Sequence, residues 1–195
     1  AMLSQACDDL YMHRPGDDTT VAVAHVVEQK IVSIFTGPPK DMDDDVRLMR
    51  AFMANDGKKV VCGGTTAKIP ARFLNTGIVN NEDGNHEIPP TSSIEGLDLV
   101  TEGVLTLNKT VKMLRKYAGD DIDADFFIAL DEPNGASKLA KMLIEECTLA
   151  RLYVGTAVNS AQNHLVPEIS VRKNIVEQLE EAMKAIEKSV EIFYY

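Results

Sequence analysis

Apolar residues fall at helical spacing over residues 3–12, where Leu3, Cys7, Leu10 and Tyr11 share a face, until Arg14, Pro15 and Gly16 break the run. The spacing then shortens. Residues 19–27 and 30–35 are dense in Val, Ile, Phe and Thr and are divided by Glu28 and Gln29, which predicts two antiparallel strands. Gly37, Pro38 and Pro39 end them. Because proline fixes φ and donates no backbone hydrogen bond, this stretch reads as a linker. A domain boundary is expected there, dividing residues 1–37 from residues 40–195.

Past the linker, helix and strand alternate. Acids at residues 41–45 complement a helix start, and Val46, Met49, Phe52 and Met53 give its apolar stripe up to Asn55. Residues 58–62 read as a short buried strand running into Gly63, Gly64, Thr65 and Thr66. The next helix is expected over residues 67–74, with Pro70 tolerated only in its first turn. Residues 80–93, polar with two prolines and a glycine, read as a loop before a strand at 97–101. A helix follows in which Val104, Leu107, Val111 and Leu114 share a face and which Gly119 ends. A third unit opens on a strand at 126–130, turns at 131–135 and continues as a helix carrying Leu139, Met142, Leu143 and Cys147. A strand at 151–154, a long amphipathic helix at 171–188 and a β-rich run at 190–194 close the chain. Short strands alternating with helices predict βαβ crossovers and a mainly parallel sheet covered on both faces. The expected fold is therefore α/β, a three-layer, mainly parallel, Rossmann-like sheet domain over residues 40–195, preceded by a short β-rich piece.

Composition narrows the function. The 195 residues carry a formal charge of −10, which disfavours nucleic acid and acidic lipid as partners, since both are bound through clustered Lys and Arg. No apolar run reaches the length of a membrane span, so a cytoplasmic protein without membrane contact is expected. Cys7, Cys62 and Cys147 are widely spaced, without a CxxC pair, and read as reduced thiols. Cys62 stands directly before two glycines at a strand end, the one place where a helix N-terminus could lower a thiol pKa, although such a cysteine reads first as a small buried hydrophobe. His13, His25, His86 and His164 form no pair at metal or general-base spacing. The start, Ala1-Met2 running at once into a helix, suggests a chain cut from a longer one.

Four stretches carry a resemblance. Residues 16–24, an acidic pair followed by Thr and an alternating apolar run, look like the last motif of the metal-dependent type 2C phosphatases. Residues 58–67, 94–103 and 154–159 resemble the segment that follows the catalytic domain in some bacterial stage II sporulation protein E family serine/threonine protein phosphatases. The resemblance implies a parent hydrolase in which Mn²⁺ or Mg²⁺, bridged by several Asp carboxylates, activates water against phosphoserine or phosphothreonine. By position Asp17 matches one metal ligand, with Asp18 beside it. A two-metal site needs several converging carboxylates. The other metal motifs have no counterpart, because Asp56-Gly57 and Asp83-Gly84 lie downstream, in turns. The expectation is a remnant without phosphatase activity of its own, with no tightly bound metal and no catalytic residue.

For the larger domain, ligands of open parallel sheets sit beyond the carboxyl ends of the strands. Gly63, Gly64, Thr65 and Thr66 offer unobstructed amides and two hydroxyls at a helix N-terminus, a cradle for phosphate or carboxylate. Thr101, Glu102 and Gly103 add an acceptor for a sugar hydroxyl, and Gly155, Thr156 and Asn159 a third small polar loop. No GxGxxG and no GxxxxGK[ST] is present, so neither dinucleotide binding nor ATP hydrolysis is licensed by motif. The same residues would also serve as plain turn and cap residues. The reading is a non-catalytic regulatory or ligand-binding domain whose partner is a small anionic or sugar-like ligand or a regulatory protein. The alternatives are an independent transferase-like α/β enzyme, or a dimerisation domain pairing through the strand that ends in Phe193, Tyr194 and Tyr195.

Overall fold

The computed structural model describes residues 2–14, 16, 20, 22–84, 87–119, 122–157 and 168–195, with the side chains of 168–170 excepted. Helix α1 (Met2–Leu10) buries none of its residues. Residues 22–30 carry neither helix nor strand, so the expected strand at 19–27 is absent from its described part.

The sheet begins with β1 (Ile31–Thr36), followed by α2 (Asp44–Ala54), β2 (Lys58–Cys62), α3 (Gly64–Leu74), β3 (Val79–Asn80), β4 (Ser92–Ser93) and β5 (Leu99–Thr101). Then come α4 (Val104–Tyr117), α5 (Ala124–Leu130), α6 (Gly135–Glu145), β6 (Leu149–Val154), α7 (Glu168–Ala185) and β7 (Ser189–Tyr194). The seven strands lie in the order β3-β4-β5-β2-β1-β6-β7. All pairings from β5 to β7 are parallel, and only the β3 and β4 edge is antiparallel. Renumbered by sequence, the five parallel strands run 3-2-1-4-5, the doubly wound order, whose reversal falls between β1 and β6.

This corrects the domain boundary. Ile31–Thr36 is not part of an antiparallel remnant: it is the central strand, in parallel register with Lys58–Cys62 on one side and Leu149–Val154 on the other. Its side chains are buried on both faces, which is why it reads as an almost unbroken apolar run. Gly37, Pro38 and Pro39 are then the turn at its carboxyl end, with Gly37 at φ +75°, and residues 31–39 belong to the sheet domain.

Alternation divides the core into two layers. Val32, Ile34, Val60, Cys62, Leu152 and Val154 face α4, α5, α6 and α7. Phe35, Val61, Val100 and Tyr153 face α2 and α3, with Phe52 packed edge-on to Tyr153 at 5.5 Å between ring centroids. The three-layer α/β expectation holds. Two of the acids of the 41–45 run enter α2, and Asp45 is buried and paired with Arg72 of α3 at 2.5 Å.

Two local expectations fail. Residues 126–130 are helix, not strand: the Asp123 carboxylate accepts from Phe126 N at 2.8 Å and starts α5, which then buries only Phe126 and Leu130, one helical turn apart. Helix α3 starts at Gly64 rather than at 67, so Pro70 lies inside it, past the first turn. The loop at 80–93 holds β4 and meets β3 as a short edge hairpin. Asp83 fastens it, accepting from Thr91 N at 2.8 Å and Thr91 Oγ1 at 2.6 Å and pairing with Lys138 of α6.

Candidate functional site

Four strands end in the same way. β1, β2, β5 and β6 each finish at the carboxyl rim on a small residue followed at once or after one residue by glycine: Thr36-Gly37, Cys62-Gly63, Thr101-Glu102-Gly103 and Val154-Gly155. Glycine here allows close approach of neighbouring backbones. Gly63 sits at φ +128° with its amide donating to Thr101 O at 2.8 Å, and Gly103 lies against Gly63, where an added Cβ would be 3.5 Å from Gly63 Cα.

Above β1, β2 and β5, on the face covered by α4 and α7, lies a cavity of about 520 Å³. Its walls are Thr36, Gly37 and Pro38, the stretch Cys62 to Thr66, Glu102 to Leu105, and Arg172 of α7, over a floor that includes Leu107 and Ile175. The N-termini of α3 and α4 open directly into it. Each has glycine at the N-cap and no capping side chain, Gly63 for α3 and Gly103 for α4. Their own helical bonds start only at Ala67 N to Gly63 O, 2.8 Å, and Leu107 N to Gly103 O, 3.1 Å. The amides of residues 64–66 and 104–106 are therefore left without a partner inside the helix. By contrast, α5 and α6, which start away from this cavity, are capped by the side chains of Asp123 and Asn134.

Of the residues expected from the sequence, Gly63, Gly64, Thr65, Thr66, Glu102 and Gly103 converge on this one cavity. Thr66 Oγ1 is already engaged, accepting from Gly37 N at 3.0 Å and so fastening α3 to the end of β1. Thr101 lies beneath the wall, its hydroxyl donating to Glu102 O at 2.8 Å and resting 3.5 Å from Cys62 Sγ. Gly155 packs on Gly37 and Pro38, and Thr156 is tied to Tyr195 O by its amide at 2.5 Å and its hydroxyl at 2.8 Å. Both line a second cavity of about 450 Å³ that shares Arg172 with the first. Asn159 and the expected metal ligands Asp17 and Asp18 lie outside the described residues, as do His86 and His164.

Sequence reasoning missed Thr36, Gly37, Pro38 and Arg172. The first three carried the strand-then-glycine signal of the other rims and were hidden by the prolines. Arg172 carried none, being one cation in the first turns of an amphipathic helix. It is only 8% exposed, and its Nη1 donates to Gly155 O at 2.9 Å and Ala157 O at 3.3 Å.

Among the described lining residues, that guanidinium and two positive helix ends stand with the carboxylate of Glu102. The Cys62 thiol is not activated. Burial pushes its pKa up to about 12, well past what the Thr101 hydroxyl can recover, and Cys62 is the small buried core residue that the sequence favoured over an activated thiol. Cys147 is pushed up to about 11, also by burial. An aromatic disulfide reagent at pH 8 is thus expected to label the half-buried Cys7 alone in the native chain and all three thiols in guanidinium; a fast second equivalent at Cys62 would contradict this environment.

Among the described residues one group of metal-type donors gathers, Asp8, Asp9 and His13, all exposed, with His13 Nδ1 at 2.6 Å from Asp8 Oδ2. Two surface carboxylates and an imidazole do not fit a cage of bridging acids for Mn²⁺ or Mg²⁺, and no chemical step through a metal follows.

Neither a known family nor a curated protein matches the chain. Among solved structures, the shikimate 5-dehydrogenase of Listeria monocytogenes in complex with shikimate and NAD is similar at a TM-score of 0.20 and 10% identity, over 89% of this chain and 64% of that one. At that TM-score the likeness carries no argument about fold or chemistry. No described helix is long and apolar enough to cross a membrane.

Proposed function

We propose that this domain binds a small phosphorylated or carboxylated ligand at the rim cavity, and that it does so as the non-catalytic accessory module of a stage II sporulation protein E-like phosphatase. The observation that carries the binding reading is the pair of uncapped helix N-termini opening into one cavity, with Arg172 on its wall. Oriented amides and a held guanidinium are pre-organised for an anion, which gains charge-assisted hydrogen bonds without rearranging the protein. The phosphatase parentage rests on the residues at 16–24, 58–67, 94–103 and 154–159. In that setting the ligand would bias the attached catalytic domain through its differential affinity for two states of the pair.

Thermal melts against inorganic phosphate, ribose 5-phosphate, glucose 6-phosphate, adenosine monophosphate, citrate and uncharged glucose test the binding reading. At about a hundred times its Kd a ligand adds about 2.7 kcal/mol. In a domain of this size that raises Tm by about 5–10 °C. At least one anion is expected to do so and glucose is not. A flat response to every anion would end the reading.

A further inference from the structure

Resting on that anion-binding reading, we propose that the cavity selects a phosphate ester carrying free hydroxyls, a sugar phosphate in the broad sense, over inorganic phosphate and over esters without hydroxyls. Two groups in the cavity are not explained by an anion alone. The first is Thr36. It closes β1 on the same face as Val32 and Ile34, towards α4 and α7, is only 6% exposed, and lines the cavity. Among the described residues nothing bonds to its hydroxyl, although its carbonyl is used by Gly155 N at 2.9 Å. The residue is buried but its hydroxyl has no described protein partner, so a ligand hydroxyl can bond to it in place of water.

The second is Glu102. Its carboxylate stands over the start of α3: a Cβ placed on Gly64 would come within 3.4 Å of Glu102 Oε1. There it faces any anion seated on the α3 amides, and a free dianion meets a like charge at the mouth of its own site. A carboxylate accepts hydrogen bonds and donates none, so it is matched by a ligand that presents a hydroxyl at that point. The arrangement penalises the bare anion and rewards the hydroxyl in the same place, which is how a site gains selectivity beyond what attraction alone gives. With the phosphate on the amides of residues 64–66 and 104–106, the rest of the ligand lies between Glu102 at the mouth and Thr36 in the wall, over Leu107 and Ile175.

Isothermal titration with inorganic phosphate, methyl phosphate and ribose 5-phosphate separates these ideas. The unaltered chain is expected to bind ribose 5-phosphate at least about tenfold more tightly than methyl phosphate, the scale of one well-placed hydrogen bond to a charged acceptor. Glu102→Gln, at an exposed position that leaves the fold intact, should strengthen inorganic phosphate severalfold and erase most of the preference for the sugar ester. Thr36→Val, of the same shape, should weaken ribose 5-phosphate and leave methyl phosphate nearly unchanged. Equal binding of methyl phosphate and ribose 5-phosphate, or a preference untouched in Glu102→Gln, would overturn the selectivity and leave the anion site standing. Failure of all three probes to bind would remove both.

Discussion

Gly155→Ala is expected to lower Tm by about 6–12 °C, the counterpart of roughly 3 kcal/mol in a domain of this size. The reason lies at the reversal of strand order. A Cβ on Gly155 would stand 2.1 Å from Gly37 O and from Pro38 O, both main-chain atoms that no side-chain rotation can move aside. Only separation of the β1 and β6 ends would relieve the overlap, and those ends are laced together by Gly155 N to Thr36 O at 2.9 Å and Ala157 N to Pro38 O at 3.1 Å. Gly77→Ala, with no atom within 4 Å of the new Cβ, serves as the control and should change stability by less than about 0.5 kcal/mol. Differential scanning calorimetry of both variants decides it: equal melting points would mean that the two loops are not in contact.

That contact also explains where the cavity is. In a doubly wound sheet the crevice between the two strands at the reversal is the usual ligand seat. Here backbone from residues 36–38 and 155–157 fills it, so the open volume lies to one side, over β1, β2 and β5, and a smaller apolar one to the other, by Tyr194. Arg172 reaches across the seam from α7 and borders both. Gly37 makes room for it, since a Cβ there would lie 2.4 Å from Arg172 Cζ.

Much of this architecture could be read from residue spacing. The strands at Lys58–Cys62 and Leu149–Val154 and the helices at Val104–Tyr117 and Glu168–Ala185 follow from short apolar runs ending in glycine and from apolar residues every three or four positions. Two of the errors have clear physical causes. Residues 30–35 look the same whether they form a hairpin arm or a buried central strand, and the prolines after them tipped the reading towards a linker, although a proline just past a strand end forfeits no ladder hydrogen bond. Residues 126–130 are too short and too apolar for period alone to separate helix from strand, and the Asp123 cap that settles it is a single residue. For the site, the glycine-threonine stretch and Glu102 were visible as chemistry. The cavity that joins them to Thr36 and Arg172 depends on parallel pairing between segments far apart in sequence, which no local pattern encodes.

Replacing Arg172 should have the largest effect on binding. Arg172→Met keeps most of the stem that packs beside Ile175 and removes the charge, the Nη1 bonds to Gly155 O and Ala157 O, and the cationic wall of the cavity. Loss of a held guanidinium from an anion site costs about 2–3 kcal/mol, so ligand affinity is expected to fall roughly thirty- to a hundred-and-fiftyfold. Two carbonyls at the end of β6 lose a donor as well, and stability should drop by about 1–2 kcal/mol. Titration well below the lowered Tm keeps the two effects apart. Arg172→Lys supplies the internal check: a lysine restores charge but not the planar fork that bridges two carbonyls while facing the cavity. If charge alone matters, Lys recovers nearly all the affinity; if the fork positions the charge, Lys recovers stability only in part and affinity by less than about tenfold. Wild-type affinity in Arg172→Met would show that the amides of α3 and α4 hold the anion without help from α7.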